Sequence, residues 1–397
     1  MFAVQPNERK VILTKTRNLK MARSPHAYVR GNTVKFYELL ARLQPGSMPE
    51  GPPIWICGDC HVGNLGPVAN ARGRIEVQIR DLDHTVIGNP AHDLIRLGLS
   101  LASAARGSDL PGVTTARMIE AMMEGYEQAF VRLEAQNICA DETPAIVKRI
   151  VRESGRRKWK DLARERIKDP SPVIPLGKKF WVLDEGERSE IAALFAKPQI
   201  KRLATMLRGR DDDAKVKVVD AAFWLKGCSS LGLLRYAILL AIGEGADRSY
   251  CLMDIKEAIA AAAPAYPARE MPENNAERVE VGARALSPYL GDRLRAGEMA
   301  GKSIFVRELL PQDLKIEVEY LTEDEAIKTA FFLANVGGRA HAGQMSVGDA
   351  AEWWSDLQKN RSKSLDAPSW LWSSIVSLLM SHEGGYLEHC RRFALEV

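Results

Sequence analysis

The chain has 397 residues, 46% hydrophobic and 27% charged, the balance of a globular protein that buries a sizeable core. A formal net charge of +4 is too small to indicate nucleic acid as the main partner. The sequence has no apolar run of about 18 residues, the length needed to span a bilayer. Its N-terminal residues lack the apolar centre of a signal peptide, so we expect a cytoplasmic protein with no membrane partner.

The first predicted elements are a helix and two strands. Asn32 is a favourable N-cap, and apolar residues at helical spacing predict a helix over residues 32–43. Residues 52–57 (PPIWIC) are typical of a short buried strand, and residues 74–84 (RIEVQIRDLDH) alternate apolar and polar side chains. Residues 71–73 (ARG) predict a hairpin turn between these two strands.

Residues 56–66, ICGDCHVGNLG, form a glycine-bounded loop after the first strand. A carboxylate five residues before an amide, on such a loop, suits phosphoryl transfer. Asp59 is expected to accept the proton of an incoming hydroxyl, and Asn64 to hold Mg²⁺ together with phosphate oxygens. We expect His61 either to fix the loop by bonding its backbone or to act directly in catalysis.

Cys57 and Cys60 form a C-x-x-C motif inside this loop, a spacing found in redox pairs and zinc sites. No second C-x-x-C follows, and the other four cysteines are scattered singly. We therefore expect two small buried thiols rather than a metal or redox site.

A magnesium site needs a second oxygen ligand, and Asp81 lies at the end of the next predicted strand. A hairpin would bring Asp81 back beside Asn64. Asp83 would point to the opposite face of an extended segment, so the pattern predicts that one of these two aspartates is a metal ligand and the other structural.

Helical patterns continue from residue 92 to about residue 168. Residues 215–261 then alternate apolar and polar side chains, break at glycines and alternate again, which predicts an antiparallel hairpin followed by a strand and a helix. Residues 304–318 are typical of a strand with a second strand or a turn. Residues 323–345 return to a helical pattern that starts with a capping box.

The hairpin in the second half contains residues 226–232, KGCSSLG, which we call the glycine turn. Lys256 follows one strand further on, at a strand end, where its ammonium group would contact nucleotide phosphates. A glycine turn lets backbone amides approach phosphate oxygens. The residues expected to do so are Gly227, Ser229, Ser230 and Gly232.

Several blocks resemble known families. GDCHVGN (58–64) resembles the G-D-x-H-x-x-N loop of aminoglycoside phosphotransferase-like kinases, and IRDLDHT (79–85) is similar to their metal-binding I-D-F-D strand. More of the chain is similar to the bacterial family called domain of unknown function 2252. The similar blocks cover residues 20–37, 55–66, 80–101, 225–240, 252–258, 305–315 and 338–343.

That family is grouped with the protein-kinase-like fold. The resemblance therefore implies an α+β, two-lobed protein-kinase-like fold with a circularly permuted motif order and a large helical portion, using ATP and Mg²⁺. It implies four parts. Residues 1–110 hold the glycine-bounded loop and the metal site in the helical lobe, residues 111–214 continue that lobe, residues 215–320 form an antiparallel-sheet lobe that clamps the nucleotide, and residues 321–397 return to the helical lobe.

The chain departs from the family pattern at three points. Ser229 replaces the middle glycine of the family's G-x-G-S-x-G loop, and Asp-Leu-Asp-His at residues 81–84 replaces D-F-D-E. The helix expected to offer Lys256 a carboxylate has two candidates, Glu277 and Glu280.

Three functions fit the sequence. The first is an ATP- and Mg²⁺-dependent phosphotransferase acting on an unidentified hydroxyl or amine acceptor, a small molecule or a protein, with AMP transfer as a variant. The second is a pseudokinase that binds nucleotide without turnover. The third is a metal-dependent phosphohydrolase using His61, His92 and Asp93 with a transition metal. Otherwise Asp93 is expected to cap its helix or brace the glycine-bounded loop, and Arg30 and His341 are further site candidates.

Overall fold

The computed structural model describes residues 4–131, 143–166, 173–207, 209–245, 248–267, 269–314, 321–359, 361 and 366–395. Over these ranges the chain is a mixed α+β protein, about half helical, with antiparallel sheets. None of the helices in these ranges combines the length and the apolar character needed to cross a bilayer.

Helices precede and follow the main sheet. They are α1 Pro6–Met21, α2 Pro25–Gly31, α3 Thr33–Leu40, α4 Pro90–Gly107, α5 Gly112–Val131, α6 Ala145–Arg156, α7 Trp159–Arg166, α8 Glu185–Ala196, α9 Pro198–Thr205, α10 Asn275–Leu286, α11 Pro288–Gly291, α12 Glu323–Ala342, α13 Val347–Gln358 and α14 Ser369–Phe393. Two predicted helix starts are confirmed. The Asn32 side chain accepts from Lys35 N at the start of α3, and Thr322 forms a capping box with Glu325 at the start of α12.

The strands form one large sheet and two small ones. They are β1 Ile54–Ile56, β2 Leu65–Ala69, β3 Ile75–Ile79, β4 Val86–Gly88, β5 Phe180–Trp181, β6 Val216–Trp224, β7 Arg235–Ile242, β8 Ser249–Glu257, β9 Leu294–Met299 and β10 Lys302–Leu309. Within the described ranges the large sheet has the order β5-β6-β7-β8-β10-β9, while β1 pairs with β4 and β2 with β3. All pairs are antiparallel.

The predicted turn near residue 72 does form a hairpin, but between different strands from those expected. β3 pairs with β2, which follows the glycine-bounded loop directly, whereas β1 pairs with β4. Leu65 lies opposite Ile79, and Arg80 N donates to Asn64 O at 2.7 Å. The hairpin therefore returns the chain to the glycine-bounded loop, so that Asp81 follows a residue bonded to Asn64, as the sequence predicted.

In the second half the predicted hairpin and strand are confirmed as β6, β7 and β8, but the helix predicted directly after β8 is wrong. Ala258 N donates to Ser303 O and continues the ladder, and Pro264 and Pro267 then interrupt the alanine-rich segment. The next helix is α10. The predicted strand near residue 304 is β10, followed by a turn, and residues 315–318 lie outside the described ranges.

The described residues form three hydrophobic clusters. The largest one joins α4, α5 and α12 to the small sheets and to the buried side of α10. The second lies between one face of the large sheet and the helices α8 and α9. Cys57 and Cys60 are buried free thiols of the largest cluster, as the sequence predicted. The other face of the large sheet carries the third, smaller cluster, which includes Leu162 of α7 and the strand residues Trp224, Leu239 and Leu252.

Candidate functional site

The start of the glycine-bounded loop is held by Asp93, at the first turn of α4. One Asp93 oxygen accepts from Cys57 N at 2.7 Å and the other from Gly58 N at 2.9 Å. His341 Nε2 lies 3.2 Å from Asp93 Oδ2. Gly58 has φ +72°, and a Cβ there would overlap the carbonyl of His84. The expectation that Asp93 braces the loop is confirmed, and His341 contacts Asp93 rather than the loop.

The Asp93 brace makes a prediction for stability. Asp93→Asn keeps one acceptor oxygen but turns an NH₂ group toward a buried backbone N–H, so a donor loses its partner. We expect a loss of about 2 kcal/mol in the free energy of unfolding, measured by urea titration. The exposed Asp212→Asn, whose nearest partner Arg202 is 3.7 Å away in solvent, should change it by less than about 0.5 kcal/mol. Equal stability of both variants would contradict the brace.

Asp59 is paired with a buried arginine that sequence analysis missed. Arg96 Nε donates to Asp59 Oδ1 at 2.8 Å, and its Nη2 donates to Val29 O at 2.8 Å. Burial favours the protonated carboxyl, but the charge and hydrogen bond of Arg96 together with the neighbouring His61 and His84 outweigh burial and lower the pKa of Asp59. Asp59 is therefore an anion whose second oxygen is available to a hydroxyl. The signal in the sequence was an arginine three residues after Asp93, flanked by apolar residues on a helix.

His61 and Asn64 fix the rest of the loop. Gly63 N donates to His61 Nδ1 at 3.1 Å, which is the structural role that the sequence offered as one alternative. His61 Nε2 lies 3.8 Å from Asp59 Oδ2. Asn64 Nδ2 donates to Asp59 O at 3.0 Å. Because its nitrogen is used in this way, the carbonyl oxygen of Asn64 is the atom left for a ligand.

Buried neutral histidines make the fold sensitive to acid. Burial lowers the pKa of His61 and His382 to about 3 and that of His26 and His92 to about 4. In the unfolded chain these groups take up protons below about pH 6.5, while the folded chain does not. The free energy of unfolding should therefore fall as the pH drops from 7 to 4, by up to about 1.4 kcal/mol per pH unit for each histidine.

Urea titrations at pH 7, 6 and 5 measure this slope. His382→Gln, outside the cavity described below, should give a shallower slope than the wild type. A free energy of unfolding that stays constant between pH 7 and pH 5 would contradict the prediction.

Asp81 and Asp83 meet at Lys256. Lys256 Nζ lies 3.2 Å from Asp81 Oδ1 and also contacts Asp83 Oδ2. The expectation that the two aspartates point in opposite directions is therefore wrong. β3 ends at Ile79, and the chain turns at residues 82–85, so both carboxylates reach one amine.

The three groups differ in their surroundings. Lys256 is almost fully buried, whereas 41% of the Asp81 side chain is exposed. Burial would raise the pKa of Asp81, but Lys256 and Arg307 outweigh it and hold this pKa well below its usual value. Burial and the charge of Asp81 raise the pKa of Asp83, and the Oδ1 atom of Asp83 is buried without a hydrogen-bond partner.

One face of the large sheet carries charge at the end of β8. Asp254 and Lys256 are two residues apart on that strand, with Arg307 of β10 opposite Asp254 and Arg235 of β7 opposite Lys256. Arg235 binds Asp254 through two hydrogen bonds of 2.9 and 2.6 Å, and Arg307 lies 3.6 Å from the same carboxylate. We call these four residues the charged sheet face.

The glycine turn lies beside this face. Gly227 and Gly232 have φ +93° and +105°, which other residues rarely adopt. Lys226, Gly227, Cys228, Ser229 and Ser230 line the cavity described next, whereas Gly232 does not. Lys20 Nζ donates to Gly227 O at 3.1 Å, so the end of α1 is tied to the turn.

A cavity of about 390 Å³ lies between the glycine turn and the glycine-bounded loop, within the size range of ligand sites. It is lined by Asp59, His61, Asn64 and Asp81, and by apolar side chains that include Leu309 and Leu310. Seven cationic side chains also line it, against three carboxylates. The cations are Lys20, Arg23, Arg30, Arg80, Lys226, Arg235 and Arg307.

Some of the predicted site residues line this cavity and others do not. Asp59, Asn64, Asp81 and residues 226–230 of the glycine turn share one cavity, and Asp83 lines a neighbouring one. Lys256 lines neither of these two cavities but contacts both Asp81 and Asp83. His92 and Asp93 line neither, and the described part of the chain holds no group of three or more His, Cys, Asp or Glu placed to bind a metal ion. The arrangement offers the phosphohydrolase interpretation no transition-metal centre in that part.

Comparison with known proteins gives one match. The model of a family described as an uncharacterized protein conserved in bacteria (DUF2252) matches residues 9–392. No curated protein and no solved structure matches the chain. The family expected from the sequence blocks is thereby confirmed, and the match covers nearly the whole chain. The chain belongs to the bacterial family DUF2252.

Proposed function

We propose that this chain is an ATP- and Mg²⁺-dependent phosphotransferase that acts on a hydroxyl acceptor. The observation that supports it most is the meeting of Lys256 with Asp81 and Asp83, about 175 residues apart in sequence, at the edge of a cavity lined by Asp59 and Asn64. Carboxylates, an amide and cations around one cavity are the groups that phosphoryl transfer uses.

The proposed fold is a two-lobed protein-kinase-like one with a permuted motif order. The glycine turn joins β6 to β7, Lys256 lies on the next strand, β8, and a helix, α10, follows, which is the order of glycine-rich loop, lysine strand and helix in protein kinases. The glycine-bounded loop precedes these elements instead of following them. One departure concerns the lysine: Glu280 of α10 accepts from Ala296 N at 2.6 Å, and the aspartates take its place beside Lys256.

The donor groups fit magnesium and a nucleotide. Asn64 and Asp81 offer hard oxygen atoms to the same cavity, and the unpaired Oδ1 atom of Asp83 is two residues from Asp81. Mg²⁺, when bound, would neutralise charge on the phosphate oxygens. Lys256 and the amides of the glycine turn would hold the phosphates, and the apolar side chains of Leu309 and Leu310 in the cavity lining suit a base.

Asp59 would orient the acceptor and receive its proton. The acceptor oxygen forms a bond to the γ-phosphorus, the bond from that phosphorus to the β,γ-bridging oxygen breaks, and ADP leaves with the electron pair. The proton of the hydroxyl passes to Asp59. Because Arg96 keeps Asp59 ionised, its main contribution is to align the hydroxyl and stabilise the positive charge that develops there.

The decisive test labels ATP at two positions. Purified protein is incubated with Mg²⁺, a low-molecular-weight bacterial extract as the source of acceptors, and ATP labelled at the α- or the γ-phosphate. Label moving from the γ position supports the proposal, and label moving from the α position means AMP transfer by the same groups. Nucleotide binding without movement of either label would reject a phosphotransferase and indicate a nucleotide sensor.

A further inference from the structure

The cavity has one wall whose positive charge is not neutralised. We call it the helical wall; it consists of Lys20 at the end of α1, Arg23 after α1, and Arg30 in α2. Arg30 has no ion pair or hydrogen bond with any described residue, and its Nε atom is buried without a partner. A guanidinium group left in this state beside a cavity is suited to an anionic ligand.

The other cations around the cavity have protein partners. Among the other cations that line it, Arg235 donates two hydrogen bonds to Asp254, Arg307 lies 3.6 Å from the same carboxylate, and Arg80 donates to Asp313 O. Lys226 Nζ lies 4.1 Å from the centre of the Trp224 ring, and Lys256, just outside the lining, lies between Asp81 and Asp83. Arg96 is paired with Asp59. Arg30, for which the described residues supply no hydrogen bond or ion pair, therefore lies on the helical wall and not on the sheet that would clamp the nucleotide.

Arg30 lies directly against the glycine-bounded loop. A Cβ built on Gly63 would be 2.6 Å from Arg30 Nη2 and 2.8 Å from its Cζ, so the absence of a side chain at Gly63 makes room for the guanidinium. Its positive field, after burial, helps to lower the pKa of His26 to about 4 and that of His61 to about 3. Asp59 lines the same cavity.

Building on the proposed function, we infer that the acceptor is a small anionic molecule, a hydroxyl compound that also carries a phosphate or carboxylate group. Arg30, with Arg23 and Lys20, binds the anionic group and presents the hydroxyl to Asp59. Guanidinium groups bind such anions through two parallel hydrogen bonds. Cationic amine acceptors are repelled by the same wall.

The test fills the nucleotide site first, so that the γ-phosphate position is occupied. Protein with Mg²⁺ and the β,γ-imido analogue of ATP is titrated by calorimetry with glycerol 3-phosphate, glycerate and glycerol. The first two should bind and glycerol should not, and their relative affinities identify the preferred anion. Arg30→Met should weaken anion binding about tenfold or more while leaving the affinity for the imido analogue within about twofold.

Arg17→Met is the matched control. It removes a positive charge from α1, but Arg17 lines the neighbouring cavity, and anion binding should stay unchanged. Arg30→Lys should retain part of the affinity because the charge remains without the two-pronged geometry.

Three results would overturn the inference. The first is that neither anion binds, and the second is that Arg30→Met binds the anions as well as the wild type. The third is that Arg30→Met loses affinity for the imido analogue but not for ADP, because this result would assign Arg30 to the γ-phosphate. Failure of the wild type to bind the imido analogue at all is a different outcome, since it rejects the proposed function itself.

Discussion

Replacing Asp59 with asparagine is expected to lower the rate of phosphoryl transfer about a thousandfold while leaving nucleotide affinity within a few-fold. Asparagine occupies the same volume but accepts no proton and carries no charge to stabilise the acceptor hydroxyl. The nucleotide contacts assigned to Lys256 and the glycine turn do not involve this side chain. Transfer of label from γ-labelled ATP and calorimetric titration with the imido analogue measure the two quantities.

The Asp59→Asn variant also leaves Arg96 without its buried partner, so stability has to be followed in parallel. Breaking such a pair costs about 3 kcal/mol. Glu187→Gln is a matched control because it removes the carboxylate from another buried arginine, Arg9, 2.5 Å away and outside the cavity. Both variants should lose comparable stability, but only Asp59→Asn should lose transfer. If Asp59→Asn transfers phosphate at the wild-type rate, Asp59 has no part in the reaction.

Local sequence patterns predicted the parts of the site that depend on short-range geometry. The turn near residue 72 sets the register that places Leu65 opposite Ile79, and this register returns Asp81 to the neighbourhood of Asn64. Similarly, alternation in residues 215–261 predicted β6, β7 and the position of Lys256 near the end of β8. A hairpin fixes which residues on either side of one turn lie opposite each other. This pairing can therefore be predicted from the sequence without tertiary information.

The contacts between separate elements that assemble the site could not be predicted from local sequence patterns. Asp83 was expected to point away from Asp81 because the strand was assumed to continue, whereas β3 ends at Ile79 and Lys256 draws both carboxylates together. The partner of Asp59 is Arg96, 37 residues away on a buried helix. Such pairings depend on how separate elements pack, and neither periodicity nor spacing encodes that packing.

For the same reason, the sequence did not predict that the helical wall carries an unpaired arginine. Arg30 was a candidate only because it lies in a block similar to the family, and nothing in its local sequence distinguishes it from a surface arginine. Its significance comes from the packing of α2 against Gly63 and from the absence of an ion pair between Arg30 and any described carboxylate. Unsatisfied charge is a property of the folded chain, which is why the preference for an anionic acceptor emerges only with the structure.

Replacing Lys256 with methionine is expected to lower affinity for ATP about thirtyfold or more, because the ammonium group is the buried cation at the junction of sheet and loop. The variant also leaves Asp81 and Asp83 side by side without their shared counter-ion, which costs about 3 kcal/mol of stability at pH 7, at the low end for buried pairs since Asp81 is partly exposed.

The pH dependence of this variant separates electrostatics from packing. Without the ammonium group the pKa of Asp83, already raised by burial and Asp81, rises further. A raised carboxyl pKa in the folded state adds stability as the pH falls, so the deficit of Lys256→Met relative to the wild type should shrink between pH 7 and pH 5. Lys302→Met, which removes an exposed lysine paired with Glu257 at 3.0 Å, should show neither the affinity loss nor the pH effect. A deficit that is the same at pH 7 and pH 5 would mean that Lys256 acts by packing alone, and unchanged ATP affinity would remove Lys256 from the proposed clamp.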